Sequence, residues 1–438
     1  MSSMPDVPTS NRNFPVKSQS ENAATEESVS VWSEELLKKL VAASSVTGEA
    51  TEIWSIVDEV LADLGYTSRA IFIDEYRTGH LEYSPPDSCG QVGTSYVATH
   101  RTSNVNDRGG RVSDTREDSG PTLLFTHLDT EPEHAGWRIP PLELRKCQRR
   151  AYGLGVADAK AGIVSILAAL KILQKQSRFP KYPPVVVFAT AKQGGGLGML
   201  QAVAEVTGVK EAVYCHPAES GEGLRQLKTA SRGVATIRAT FHGRTPVPQE
   251  ERSPISADPR IGLNPINASV ELAAAVRTFP SESAIWEVTG ITGGGITPFE
   301  IPGTSKVDIS CWFSDHDAEF QRSFVERKIA ASTSLFVAQG GIVSVDLVGL
   351  RANPAGEISL NFIRSVSEVI ASVTGVNPER YGWHSASDLR FPIRILGVPT
   401  VGFGARGGGF YGPDEWVDLD SMDQVSEILA ELLLRGKE

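Results

Sequence analysis

Apolar residues recur along this chain in two rhythms. Short unbroken runs, Leu123-Leu124-Phe125 and the Val-Val-Val-Phe of PPVVVFATA, have the length and β-branched content of buried strands. SVWSEELLKKLVAASSV instead places Trp32, Leu36, Leu37 and Leu40 at helical spacing. TEIWSIVDEVLADLG, AKAGIVSILAALKILQ, SLNFIRSVSEVIASVTG and DLDSMDQVSEILAELLLRG read as helices too. Further strands are expected near Arg69–Ile73 and His80–Tyr83, in EAVYC and in VPTVGFG. Strands alternating with amphipathic helices predict an α/β fold built on a sheet with parallel strands.

Two stretches break the rhythm. Residues 1–29 are rich in Ser, Asn, Pro and Glu and read as a disordered tail, with order beginning near Ser30. Residues 90–120 are polar and without period, and read mostly as an inserted loop.

Candidate chemistry gathers after the first apolar run. His127 and Asp129 lie two apart, so in an extended chain they project to the same side. They leave the C-terminal end of a strand, where open α/β sheets place ligands. Asp158 follows Gly153 and Gly155 and falls at the start of a helix. On spacing alone, His127 serves equally as a core histidine and Asp158 as an ordinary N-cap.

Composition narrows the field. At 438 residues the chain has room for two domains. A net charge of −11 argues against nucleic acid or an anionic membrane as partner. No apolar run approaches the roughly 18 residues of a membrane span. Cys89, Cys147, Cys215 and Cys311 have no CxxC spacing, as expected of reduced thiols in a cytoplasmic protein, and the N-terminus carries no export signal.

The combination of an apolar strand, His127-x-Asp129, Trp137 before Pro140-Pro141, then Tyr152-Gly153-x-Gly155-x-x-Asp158-x-Lys160-x-Gly162 resembles a known family. It is that of acetylornithine deacetylase, succinyl-diaminopimelate desuccinylase and carboxypeptidase G, zinc aminoacylases and exopeptidases. The resemblance implies a phosphorylase/hydrolase-like mixed-sheet α/β catalytic domain in two pieces, 30–228 and 346–438. Between them, at 229–345, it implies an inserted α+β, ferredoxin-like lid, through which the chain forms a homodimer. It makes His127 a metal ligand, Asp129 the carboxylate that orients it, and Asp158 the carboxylate bridging two metals.

The departures fall on the chemistry. Where the family carries Asp-Glu-Glu, with the base and a metal ligand, this chain has Ala191, Lys192 and Gln193. An acidic ligand before proline becomes His216, itself a competent ligand. The final metal histidine, four residues before Glu415, becomes Tyr411. On the lid, the family's His falls in Thr245-Pro246-Val247, its Asn becomes Phe299 and its Arg becomes Ser310. A two-metal centre is therefore not expected. His127, Asp158 and His216 remain for one divalent ion, zinc by ligand type.

Charge offers a second arrangement. With Lys192 protonated, Asp158, Lys192, Gln193 and His216 balance without any metal, whereas an added ion leaves uncompensated buried charge. Lys192 then stands where a metal stood. The catalytic candidates are Lys192, Tyr411, Asp158 and His384, and the substrate-binding candidates Gln193, Asp388, Arg390 and Arg406. The expected function is N-acyl or amide chemistry on a small amino-acid- or peptide-like substrate, by one metal or by metal-free acid–base work. The alternative is a non-catalytic binding protein or a partner of an active relative.

Overall fold

The computed structural model describes residues 23–46, 50–72, 93–102, 120–192, 195–246, 257–295 and 297–435. Two helices, α1 (Ala23–Ala42) and α2 (Thr51–Asp63), lead into the antiparallel pair β1 (Tyr66–Phe72) and β2 (Thr94–His100). Strand β3 (Thr122–His127) is followed by a short hairpin, β4 (Arg145–Cys147) and β5 (Arg150–Tyr152). A distorted turn, Val156–Lys160, opens α3 (Ala161–Lys175). Then come β6 (Val185–Ala189), α4 (Leu197–Ala204), β7 (Glu211–Cys215) and β8 (Gln226–Lys228).

The chain next builds a separate layer from β9 (Gly233–His242), α5 (Pro265–Val276), β10 (Ala284–Gly293), β11 (Thr304–Phe313), α6 (Ala318–Ser332), α7 (Ser334–Ala338) and β12 (Ile342–Ala352). It returns through α8 (Leu360–Thr374), β13 (Glu379–Tyr381), β14 (Thr400–Phe403), β15 (Gly407–Gly408), β16 (Trp416–Asp418) and α9 (Leu419–Leu434).

Eight strands form the main sheet in the order β1-β2-β6-β3-β7-β14-β8-β13. Its centre is parallel, with β6, β3, β7 and β14 running together, and antiparallel strands flank it. Every residue of β3 is buried, because helices cover both faces. One face packs under α1, α3, α8 and α9 through Leu40, Leu167, Val369 and Val425. The other packs under α4 and the 389–398 segment through Leu200, Val203 and Phe391. The second layer is a four-stranded antiparallel sheet, β10-β11-β9-β12, with its own core around Ile237, Leu272, Ile309 and Val325.

Three expectations shift. Helix α1 starts at Ala23, ahead of Ser30, because the preceding Ala-Ala-Thr-Glu-Glu stretch contains good helix formers that extend the helix. Strand β2 occupies part of the stretch read as loop: TSYVATH alternates about Ser95 and Val97 and is paired on both sides, a short pattern masked by its polar flanks. The lid sheet holds its last strand through Ala352, so the return to the main sheet falls beyond residue 346; β12 simply continues across the expected boundary. The strand expected near His80–Tyr83, Cys89 and most of the 90–120 stretch lie outside the described residues.

Candidate active site

His127 ends β3, Lys192 lies just past β6, and His216 follows β7 directly. These three strands are neighbours and parallel, so their C-terminal ends present the side chains to one crevice. Asp158 is delivered from beside them by the turn before α3. Its φ of −120° and ψ of 90° lie in the distorted turn, and the cap position of α3 falls at Lys160, so Asp158 is no N-cap of that helix. Two glycines set its place. A Cβ on Gly162 would lie 2.2 Å from the carbonyl oxygen of Cys215, so only glycine lets α3 approach the end of β7. Gly155 sits at φ +69° with Thr130 filling the space a side chain would need.

Glu415 fastens this turn. Its two oxygens accept from the N–H groups of Gly155 (2.9 Å), Ala157 (2.8 Å) and Asp158 (2.8 Å). Burial pushes its carboxyl up to about 8 even against these donors. In the sequence Glu415 is only the landmark that fixes Tyr411, and its role comes from the fold.

Asp158 Oδ1 is the centre of the cluster. It lies 2.8 Å from His216 Nε2, 3.0 Å from His127 Nε2 and 3.6 Å from Lys192 Nζ. Lys192 Nζ is also 2.9 Å from His216 Nε2 and 3.4 Å from Tyr411 Oη. Burial opposes the charged form of Asp158, but the His216 ring and the Lys192 ammonium outweigh it and hold the carboxyl well below its usual range. Burial likewise pulls Lys192 down, and Asp158 more than restores it, so the lysine stays charged. His216 is pushed well below its ordinary value by burial, with both nearby lysines adding to the effect against Asp158. Lys192, whose charge Asp158 sustains, is the fixed counter-charge of Asp158.

Behind His216 stands Lys228, fully buried, its ammonium 3.0 Å from His216 Nδ1, 2.9 Å from the Pro217 carbonyl and over the Tyr214 ring. Burial, reinforced by Lys192, brings it down to about 7. The sequence offered little signal for it, since a lone lysine after Gln226-Leu227 resembles a surface residue.

His384 is buried with its ring 5.7 Å from that of His216. Its Nε2 lies 3.3 Å from Glu219 Oε1, and Tyr381 donates to the other Glu219 oxygen at 3.0 Å. Its Nδ1 has no hydrogen-bond partner among the described residues.

The remaining candidates are placed differently. Asp129 accepts the backbone N–H of Lys192 at 3.0 Å, while His127 Nδ1 is left without a hydrogen-bond partner among the described residues. Asp129 thus braces the lysine turn. Arg390 is buried and donates to the carbonyls of Ala386, Ser387 and Gly195, which makes it a brace of this loop. Asp388 is buried beside it, 3.8 Å from Arg390 Nη1. Arg406 is exposed, and its backbone N–H bonds Ser421. Gln193 lies outside the described residues.

Strain marks the same region. Ala191 (φ 60°), Ala386 (φ 56°) and Tyr411 (φ 61°) all adopt the left-handed conformation without being glycine. Such residues cost roughly 1–3 kcal/mol each and persist where surrounding structure fixes them, most often at active sites and ligand clamps.

The donor set also suits a metal. One atom each from His127, Asp158 and His216 lie within 4.8 Å of one another, all buried. Among the described residues neither ring nitrogen of His127 has a hydrogen-bond partner, although Nε2 sits 3.0 Å from Asp158, as befits ligands facing a common centre. Two imidazoles and a carboxylate thus fit one divalent ion. At the opposite position Tyr411 offers a phenol, and no second set of ligands is found among the described residues.

Comparison with known proteins gives a consistent picture. The profile of peptidase family M20/M25/M40 matches residues 123–435. A succinyl-diaminopimelate desuccinylase of Methylorubrum populi is 27% identical over 338 residues, covering 72% of this chain and 83% of that protein. Another with the same name, from Paracoccus denitrificans, is 24% identical, covering 70% and 81%. Among solved structures, a tripeptidase of Staphylococcus aureus superposes with a TM-score of 0.69 at 16% identity, covering 93% of this chain and 98% of that one. The dipeptidase Dug1p of Saccharomyces cerevisiae gives 0.65 at 14% identity, covering 94% and 97%.

Proposed function

The chain belongs to peptidase family M20/M25/M40, and from that premise we propose that it acts on the N-acyl or amide bond of a small amino-acid- or peptide-like substrate with at most one bound ion. The name of its desuccinylase relatives supports the substrate class. The observation that carries the reading of the centre is the ammonium of Lys192. It lies 3.6 Å from Asp158 and 2.9 Å from His216, two of the three candidate ligands.

In this reading Lys192 is the resident cation of the site, and acid–base chemistry does the work. Burial and Asp158 keep Tyr411 a protonated phenol against the pull of Lys192, so its hydroxyl, 3.4 Å from Lys192, is a donor for a developing oxyanion. His384 is held neutral, chiefly by burial and then by the Lys228 charge. With Nε2 toward Glu219, its Nδ1 is free to accept a proton.

A second reading is favoured by the two nitrogens of His127 that have no hydrogen-bond partner among the described residues. There, one ion on His127, Asp158 and His216 supplies Lewis acidity, and Lys192 is displaced. We further propose a cytoplasmic homodimer formed through the lid, whose edge strands expose Ile285 and Ile342. Sedimentation equilibrium should then give twice the chain mass.

Elemental analysis of protein purified without chelator separates the readings of the centre. A metal-free, folded protein that turns over N-acyl amino acids or dipeptides fits the lysine reading. One ion per chain, lost on His216→Ala, fits the mononuclear reading. Two ions per chain overturn both. Lys192→Ala should cut turnover by at least about a hundredfold if an acid–base group is lost; unchanged ligand binding with no turnover in either protein would make the chain a binding protein.

A further inference from the structure

Glu219 lies on the turn that leaves β7, three residues after His216. Tyr381 ends β13, in register with Lys228 of β8, and its hydroxyl donates to Glu219 Oε2 at 3.0 Å. Burial and the Glu219 charge push that phenol up to about 12, so it keeps its proton. Burial also raises the Glu219 carboxyl, while the Tyr381 hydroxyl and the Lys228 and Lys192 charges favour its ionised form. The other oxygen, Oε1, lies 3.3 Å from His384 Nε2.

The backbone that carries His384 is fixed separately. Its carbonyl accepts from the Arg232 N–H at 2.9 Å and from the Ser231 hydroxyl at 3.3 Å. Two residues on, Ala386 adopts φ 56° and donates its N–H to the Arg232 carbonyl at 3.0 Å. What the loop leaves open is the side of the ring that carries the hydrogen. A carboxylate can only accept, so the ring nitrogen that faces it is the one with the hydrogen. A neutral imidazole has a single N–H, and Nδ1 is then left with its lone pair.

That nitrogen is buried and has no hydrogen-bond partner among the described residues. A buried acceptor without a donor is unfavourable, and such atoms are uncommon where no ligand or reaction uses them. The ring itself borders the Asp158 cluster: its centroid is 5.7 Å from that of His216, edge to face at 65°.

We propose that Glu219 is the positioning residue of a Glu219–His384 pair: it holds the hydrogen of His384 on Nε2 and so leaves Nδ1 as the proton acceptor of the reaction, while Tyr381 fixes Glu219. The inference deepens the amide chemistry proposed above and rests on it. In the first step an O–H bond of the attacking water breaks and its proton passes to Nδ1. The water oxygen bonds the carbonyl carbon as the C=O pair moves onto oxygen. When that pair returns, the C–N bond breaks and the proton goes from Nδ1 to the leaving nitrogen. Glu219 remains a carboxylate throughout and stabilises the imidazolium formed in between, as in other carboxylate–histidine pairs. Neither member of the pair belongs to the convergent set His127, Asp158 and His216, so its role is the same whether or not an ion is held there.

The test reads the tautomer directly, in the full chain carrying isotope-labelled histidine, by long-range proton–nitrogen correlation spectra. His384→Gln identifies the signals of this ring by their loss. In the parent, His384 should carry its hydrogen on Nε2. In Glu219→Leu the Nδ1–H form should become populated, a change that a merely structural role for Glu219 would not produce. With N-acyl amino acids or dipeptides as substrates, Glu219→Gln should lower kcat by about a hundredfold or more, the size of a lost acid–base contribution, with KM little changed. Glu219→Asp keeps the charge and should recover part of the loss. An Nδ1–H tautomer in the parent, an unchanged tautomer in Glu219→Leu, or an unchanged kcat in Glu219→Gln overturns the proposal. The parent spectrum needs no variant of Glu219, so the proposal stays open to refutation even if Glu219→Leu fails to fold. Absence of turnover in the parent, with the expected tautomers, sinks the enzymatic reading and leaves the Glu219–His384 pair standing.

Discussion

Lys192 decides the character of the site. It replaces an acidic residue of the resembled family by a cation, and its ammonium lies 3.6 Å from Asp158 and 2.9 Å from His216, two of the three candidate ligands. Removing one partner of a buried ion pair leaves the other uncompensated, at a cost of about 3–5 kcal/mol. Lys192→Met should therefore lower stability by that order in a metal-free buffer. Zinc should then bind the variant at least about tenfold more tightly than the parent, because the carboxylate has lost its internal counter-ion. Denaturant titrations with and without zinc read both effects; a variant as stable as the parent, with no gain in zinc binding, would sink the lysine-for-metal idea. The residues of this cluster were legible because strand ends and glycine spacing announce them. Lys228 and Glu219 were not, since their significance comes from strands and loops that meet only in three dimensions.

At the scale of the element, the turn Val156–Lys160 matters most. It has no helical continuity of its own at Asp158 and Ala159, and Glu415 supplies the acceptors its N–H groups lack. Glu415→Ala should cost about 3 kcal/mol, since several buried donors lose their acceptor together. Glu415→Gln, which keeps one accepting oxygen, should cost visibly less. Both variants should also change the reactivity of the Asp158 cluster out of proportion to their loss of stability. Equal, negligible costs for both substitutions would show that the turn holds itself. That a helix follows Asp158 was legible, but the distorted turn between them was not: local pattern reports periodicity, and this turn departs from it where Glu415, more than two hundred positions away, takes its N–H groups.

For the whole molecule, the order of strands and helices and the insertion of a second sheet were readable from periodicity and resemblance. The exit from the lid was not, because β12 runs on past the expected boundary to Ala352 through a register shift after Val348 that local pattern does not announce. The lid core also carries a pH signature. Burial pushes the Cys311 thiol from 9.0 up to about 12, so the folded chain holds this proton after the unfolded chain has released it. Its contribution is complete below pH 9 and should fall through the window between about 9 and 12, by up to about 1.4 kcal/mol per pH unit. In Cys311→Ala that component of the slope should vanish; an identical pH profile for both proteins would refute the assignment.

Ser231 and Ala355 exchange two backbone hydrogen bonds, each 2.9 Å, where the chain leaves the main sheet and where it comes back. A flexible segment of about 120 residues would pay roughly 4 kcal/mol or more in closure entropy to bring its ends together. A folded lid removes most of that cost, because β9 and β12 are already paired and hold the two ends side by side. Helix α8, strand β14 and helix α9 then dock as if they followed β8 after a short turn. The inserted sheet is in this sense a folding splint for the sheet that bears the site, and damage to its core should delay assembly of the site from a distance.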